Sequence, residues 1–276
     1  SLPVERRAEG LTDDRRITTN RSANDAVEAR NITRQYVNGT FTALDDITVT
    51  LRENEIISFI GPSGCGKTTM LRLIAGLELP TRGRLSTFGE PIRGPGPDRG
   101  MIFQAYTSFP WLTAKKNIEY GMKVVGIPKA EREQKAAAML KLVHLEEFEN
   151  SYPHSLSGGM KQRVAIGRTL AQNPRILLMD EPFGALDEIV RDQLNEHFLR
   201  LWEKNRKTVV FVTHSIPEAA YLSTRIVVMS PRPGRIIECI ESDLPSDRTL
   251  DIRETPKFLE LSHRIREGLR AGHSYD

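Results

Sequence analysis

Only two cysteines, Cys65 and Cys239, occur among the 276 residues. No disulfide framework can therefore organise this chain, and no Cys-x-x-Cys pair or Cys/His cluster marks a zinc site. No apolar run approaches the roughly 20 residues that cross a bilayer, and no apolar stretch near the first residue has the shape of a secretory signal. The formal net charge is only +3. Lys and Arg occur as scattered pairs, such as Arg6-Arg7 and Arg15-Arg16, without the concentrated basic stripe that nucleic acid calls for. Internal repeats and low-complexity segments are lacking as well. The expectation is a cytosolic protein that meets a membrane only through another protein and has no nucleic-acid partner.

What is present is an apolar fraction of 39%, sufficient for a substantial core. Residues 1–26 contribute little to it. They carry five acids (Glu5, Glu9, Asp13, Asp14, Asp25) and five arginines, and their sparse apolar residues show no period, so a mobile tail is expected. Beyond it lie short apolar runs bounded by Gly, Pro or charge: EIISFI (55–60), GMIF (100–103), RILLMD (175–180), TVVFVTH (208–214) and RIVVMS (225–230). Such runs suit strands buried on both faces. Helical stretches lie between many of them. TTMLRLIAGLE follows the first run. DEIVRDQLNEHFLRLWEK precedes the fourth, with Val190, Leu194, Phe198 and Leu201 on one face. SIPEAAYL follows the fourth, with Ser215 at the cap, Pro217 in the first turn and Glu218 closing a capping box. Strand–helix alternation predicts an α/β fold with a mainly parallel sheet. Two regions depart from the alternation. Residues 26–54 and 83–99 read as short antiparallel strands, Ile47, Val49 and Leu51 alternating, and residues 107–172 read as almost entirely helical.

The chemistry begins at GPSGCGKTT, residues 61–69. This fits the phosphate-loop pattern, in which Gly61, Pro62, Ser63, Gly64, Cys65 and Gly66 curl backbone N–H groups around phosphates. Lys67 reaches the β and γ oxygens, the Thr68 hydroxyl suits magnesium, and Thr69 follows in the helix. Cys65 is expected to be no more than a small tolerated residue there. RILLMDEP places Asp180 and Glu181 at the carboxyl end of a buried strand, the edge where α/β sheets bind ligands. Asp180 suits magnesium through water, and Glu181 suits a general base on an attacking water. A second glycine pair opens another helix at LSGGMKQ (156–162), where bare N–H groups form a further anion cradle.

Together, the loop at 61–69, LSGGMKQR and LLMDEP resemble the signature of ATP-binding-cassette (ABC) ATPases, over about residues 27–240. The resemblance implies a phosphate-loop NTPase fold of ABC type: a mainly parallel core sheet, an antiparallel β layer, a helical subdomain at about 107–172, and a C-terminal extension at 241–276. It implies ATP and Mg2+ as ligands. Gln104 matches the lid glutamine, which touches the metal. Asp187 closes the GALD loop (184–187) that crosses a dimer interface, His214 is the switch histidine, and Tyr36 is the aromatic that stacks on adenine. Ser157, Gly158 and Gly159 would face the γ-phosphate of ATP bound to a second ATPase subunit, so the second cradle serves the partner's nucleotide. Asn54, where glycine is usual, Met160 after the signature glycines and Gly167 inside the signature helix depart from the common pattern without removing a catalytic group.

GPGPDRGMIFQ (94–104), FPWLT (109–113) and SPRPGRI (230–236) resemble the bacterial importer branch for nitrate, sulfonates, taurine and bicarbonate. The expected role is the ATP-hydrolysing motor of an importer for a small solute, an anion such as nitrate, sulfonate or bicarbonate. It would sit at the cytoplasmic face of the plasma membrane, driving permease subunits and served indirectly by an extracytoplasmic solute-binding protein. Phe109, Pro110 and Trp111 offer the apolar face for a permease helix. Residues 241–276 are too few for the regulatory domain of sugar-importer ATPases, and Phe258, Leu261, Ile265 and Leu269 form one helical stripe that would dock on the body. The alternative is a soluble, non-transport ABC ATPase acting on nucleic acid or protein.

Overall fold

A computed structural model describes residues 25–104, 107–184 and 186–273. The expected tail lies almost wholly outside them, and the first strand, β1 (Asp25–Tyr36), already contains residues 25 and 26.

Two sheets form. β1 pairs antiparallel with β2 (Phe41–Arg52) and β4 (Arg82–Thr87), and β5 (Glu90–Pro91) completes the order β2-β1-β4-β5. The core sheet has the order β10-β9-β3-β8-β7-β6. It is built from β3 (Ile56–Ile60), β6 (Arg99–Ile102), β7 (Ile176–Asp180), β8 (Thr208–Thr213), β9 (Arg225–Met229) and β10 (Ile236–Glu241). All its pairings are parallel except that of the edge strand β10.

The alternating residues of the parallel strands divide between two apolar layers, which is why these strands read as continuous hydrophobic runs. Ile57, Phe59, Leu178, Val210 and Val227 face α1 (Lys67–Ala75) and the antiparallel sheet, where Met70, Leu73, Ile47, Val49 and Leu51 meet them. Ile56, Ile60, Leu177, Met179, Phe211 and Val228 face the helices on the other side. Those are α2 (Ala114–Val124), α3 (Lys129–Leu142), α4 (Gly158–Ala171), α5 (Glu188–Lys204), α6 (Ile216–Leu222) and α7 (Pro256–His273). Phe258, Leu261 and Ile265 of α7 are buried and Leu269 packs behind them, so the expected stripe is docked.

Four local readings need revision or find their cause. The segment 107–172 is less helical than its periodicity suggested. α3 ends at Leu142, His144 takes a left-handed φ of 52°, and two 3-10 turns at Glu146–Phe148 and Pro153–Ser155 carry the chain to α4. The capping box of α6 is half formed: Ser215 Oγ accepts from Glu218 N, but Ser215 N–H donates to Thr213 Oγ1. Glu218 is instead buried, and its carboxylate accepts from the Thr213 hydroxyl. Gly167 has a packing reason, since a Cβ there would stand 3.1 Å from Ile118 Cδ1 of α2, at the crossing that seats the signature helix. Asn54 holds a φ of 62° at the turn into β3, a left-handed conformation that Asn tolerates better than other side-chain-bearing residues.

Candidate functional site

The phosphate loop leaves β3 and closes on α1. Gly66 stands at the N-cap of α1 with φ 99°, and a Cβ there would lie 2.6 Å from Leu44 Cδ2 and 2.9 Å from the Ala43 carbonyl. Only glycine meets both demands. Lys67 Nζ donates to the carbonyls of Gly61 (2.8 Å) and Pro62 (2.9 Å), folding the ammonium back across the loop. Cys65 is buried beneath it, and burial pushes its thiol pKa up.

Across the loop, the Thr68 hydroxyl donates to Asp180 Oδ1 at 3.0 Å. Asp180 closes β7 and is buried. Burial pushes its carboxyl pKa up, against the hydrogen bond from Thr68. Glu181 follows with a left-handed φ of 44°, at a cost of about 1–2 kcal/mol for a residue with a Cβ. Its backbone is tied on both sides: Glu181 N donates to Val212 O (2.9 Å), and Gly184 N donates to Glu181 O (3.1 Å). Glu181 Oε2 accepts from Gln104 Nε2 at 3.3 Å and lies 3.1 Å from His214 Nδ1. These three residues follow the carboxyl ends of β6, β7 and β8, which are neighbours in the sheet.

A cavity of about 560 Å³ opens over the loop, with Lys67, Thr68, Gln104, Glu181 and His214 in its walls. Phe41 and Arg232 also wall it, the Arg232 guanidinium lying 4.4 Å from the centre of the Phe41 ring. Neither was singled out from sequence. An aromatic five residues beyond Tyr36 was a usable signal for Phe41, and Arg232 lies inside SPRPGRI, a stretch read only for its importer resemblance. Tyr36 is not among the residues lining this cavity. Its ring lies 5.9 Å from that of Phe41, the Arg34 guanidinium sits 4.4 Å from its centre, and its hydroxyl donates to the Glu78 carboxylate.

The second cradle lies elsewhere. Ser157 caps α4, its Oγ accepting from Met160 N (3.2 Å), and Gly158 and Gly159 open that helix. Asp187 caps α5, its Oδ1 accepting from Val190 N (3.0 Å). None of these four residues walls the cavity over Lys67. A link that sequence reasoning missed joins the two regions: buried Gln162 of α4 donates to the Phe103 carbonyl (3.2 Å), immediately before Gln104.

Hard oxygen donors at Thr68 and Asp180, with the amide of Gln104 nearby, suit magnesium. This ion keeps waters and substrate phosphates rather than needing a cage of protein carboxylates. The described residues contain no cluster of three or more His, Cys, Asp or Glu placed to hold a metal.

The ABC transporter family model matches residues 44–184, from the strand beneath the loop, through Lys67 and the signature, to the turn after Glu181. The chain belongs to the ABC transporter family. It is an ATP-binding-cassette ATPase. Among relatives, it is 50% identical over 243 residues to an uncharacterized ABC transporter ATP-binding protein of Methanocaldococcus jannaschii, covering 87% of this chain and 89% of that one. It is 42% identical to the nitrate import ATP-binding protein of Synechocystis sp. (88% and 95% covered). It is 40% identical to the taurine import ATP-binding protein of Pseudomonas entomophila (87% and 94%). A solved dimeric ATP-binding cassette in a post-hydrolysis state, bound to ADP and Pi, superposes with a TM-score of 0.71 at 34% identity, over 78% of this chain and 98% of that one. No helix among the described residues of this cassette is long and apolar enough to cross a membrane.

Proposed function

We propose that this cassette is the ATP-hydrolysing motor subunit of a bacterial-type importer for a small anionic solute such as nitrate, a sulfonate or bicarbonate. It works as a pair with a second ATPase subunit, on the cytoplasmic face of the plasma membrane, beneath permease subunits that an extracytoplasmic binding protein supplies. Residues 27–240 are the motor and 241–276 a docked extension. The relatives named for nitrate and taurine import support the solute class. One observation carries the motor reading: Gln104 and His214 hold Glu181 over the phosphate loop, while Ser157, Gly158, Gly159 and Asp187 stand outside that cavity. A glycine-opened helix end that does not serve its own chain's cleft is free to grip the γ-phosphate held by a second copy.

In this reading the backbone of residues 63–69 and Lys67 bind the phosphates, the ammonium exchanging its two carbonyl partners for phosphate oxygens. Thr68, Gln104 and Asp180 would hold magnesium, which when bound would supply positive charge against the phosphates. Glu181 Oε2 takes the proton of the attacking water, and Gln104 and His214 fix the direction of that carboxylate. The buried side chain of Asn117 fastens the loop that shows Trp111 to the permease: its Oδ1 accepts from Phe109 N (2.8 Å), and its Nδ2 donates to the carbonyls of Phe109 (3.1 Å) and Leu112 (2.9 Å). Trp111 is 68% exposed beside Phe109, whose ring packs 4.4 Å from Tyr120.

The test is Glu181→Gln. The amide keeps the shape but cannot accept the proton, so hydrolysis should fall about 10²–10⁴-fold while ATP still binds. ATP, not ADP, should then shift the variant to a dimer on size exclusion, and adding Ser157→Arg should abolish that shift. Wild-type hydrolysis by Glu181→Gln refutes its role. A hydrolysis-dead variant that stays monomeric at saturating ATP refutes the action of Ser157 across the dimer.

A further inference from the structure

At the far ends of the same helices lies a feature that the nucleotide site does not use. Met139 and Leu142 of α3, Leu170 in the last turn of α4, and Leu201 and Trp202 near the end of α5 leave a cavity of about 170 Å³ between them, over the start of β8. Its walls are mainly apolar, with a polar rim at one side. An apolar cavity of about 150 Å³ accepts benzene, so this space suits one ring or a branched chain of similar size.

The polar rim decides what else the occupant carries. Asn173, Asn205 and Lys207 border this cavity and also a second, polar one of about 250 Å³, which adds Arg175, Arg206 and Glu53 to its walls. The two are compartments of one groove, and the polar compartment sets three cations against one carboxylate. Arg175 shares Glu53 at 3.8 Å. Arg206 has no ion pair among the described residues, and its guanidinium lies 4.8 Å over the Trp202 ring. Trp202 Nε1 donates to the Lys207 carbonyl (2.7 Å), so the indole walls the apolar compartment while carrying a cation toward the polar one. Lys207 Nζ reaches only neutral acceptors, Asn173 Oδ1 and the Pro174 carbonyl, and burial pushes its pKa down. An anion beside it would repay that desolvation.

We propose that this groove binds a small organic anion: a ring-sized apolar body in the slot between α3, α4 and α5, and a single carboxylate or sulfonate against Arg206 and Lys207. The groove lies at the amino-terminal ends of β7 and β8, whereas Thr68, Asp180 and Glu181 gather at the carboxyl-terminal edge. It is therefore separate from the nucleotide site, and the inference does not rest on transport.

The test uses the full chain carrying Trp111→Phe, which leaves Trp202 as its one tryptophan. Phenylacetate, benzyl alcohol and sulfate are titrated against Trp202 fluorescence. Phenylacetate should give a saturable change, while the uncharged alcohol and the ring-free anion should bind about tenfold more weakly or not at all. The Arg206→Gln, Lys207→Gln double variant should weaken phenylacetate about tenfold and leave benzyl alcohol unchanged. Leu170→Phe should fill the slot, without adding a second tryptophan, and abolish the change. If that variant does not fold by circular dichroism, the Arg206→Gln, Lys207→Gln double variant decides alone. No saturable phenylacetate response, equal affinity for benzyl alcohol, or an unaltered response in the double variant overturns the proposal.

Discussion

Replacing Gly234 by alanine should damage the phosphate loop from beneath. Gly234 lies in SPRPGRI, and an alanine Cβ there would stand 1.9 Å from the Cys65 carbonyl oxygen. Side-chain carbons essentially never approach a heavy atom within 3.0 Å, so one of the two segments must retreat by about 1 Å or more. The Gly234 side cannot yield freely. Its N–H donates to the Ala43 carbonyl (2.9 Å), and its carbonyl accepts from Asp45 N (3.0 Å), two bonds worth about 1 kcal/mol each. Cys65 therefore moves, and with it the peptide leading into Gly66 and Lys67. A displacement of about 1 Å in a positioning element costs about 10²-fold in rate, and overpacking of this kind costs about 1–3 kcal/mol of stability. We expect kcat/KM for ATP to fall about 10²-fold, and Tm to fall by about 2–4 °C for each kcal/mol lost. Gly94→Ala is the matched control, since a Cβ there meets nothing within 4 Å. Steady-state hydrolysis and thermal unfolding measure the two quantities. If Gly234→Ala hydrolyses ATP like Gly94→Ala at an unchanged Tm, the contact does not support the loop and the argument fails.

Three further outcomes are expected. Tyr36→Ala should weaken ATP binding modestly and Tyr36→Phe hardly at all if its ring face meets adenine; if Phe41→Ala weakens binding and Tyr36→Ala does not, the aromatic platform is the cavity wall at Phe41. Trp111→Ala should reduce recovery of the assembled complex with its permease, as loss of an exposed aromatic anchor does, while the isolated chain unfolds at the parent's temperature; unchanged assembly counts against that seat. Burial pushes the carboxyl pKa of Glu218 up, so its contribution to stability is complete below the ordinary value of 4.5 and is lost as pH rises through the raised value. Glu218→Gln keeps an acceptor for Thr213, and its Tm should therefore fall less than the parent's as pH rises above the ordinary 4.5; parallel profiles would show that ionisation of Glu218 does not contribute to stability.

The elements most legible in the sequence are those whose geometry is local. The phosphate loop is nine consecutive residues, and Gly66 followed by Lys67 specifies a left-handed turn into a helix wherever the chain goes. The stripe Phe258, Leu261, Ile265 and Leu269 sits on one face by helical period alone, and it docks as expected. Strands buried on both faces announce themselves as unbroken apolar runs. Local reading erred at α6, where a partner just outside the motif, five residues away, outcompetes the expected one. Glu218 has the spacing of a capping box, yet the Thr213 hydroxyl claims its carboxylate, and the buried site leaves room for one arrangement only.

What no window of sequence contains is the convergence at Glu181. Gln104 lies 77 residues before it and His214 33 residues after it. They meet because β6, β7 and β8 are adjacent, and that order is set by how the strands bury both faces rather than by any spacing in the chain. Phe41 of β2 and Arg232 of the turn between β9 and β10 likewise meet over the cavity only through tertiary packing. Residue types and their immediate neighbours settle which loop cradles phosphate, because backbone conformation is a short-range property. Which carboxylate, amide, imidazole and guanidinium surround that phosphate is settled by sheet order and layer packing, whose energies come from contacts between residues far apart in the chain.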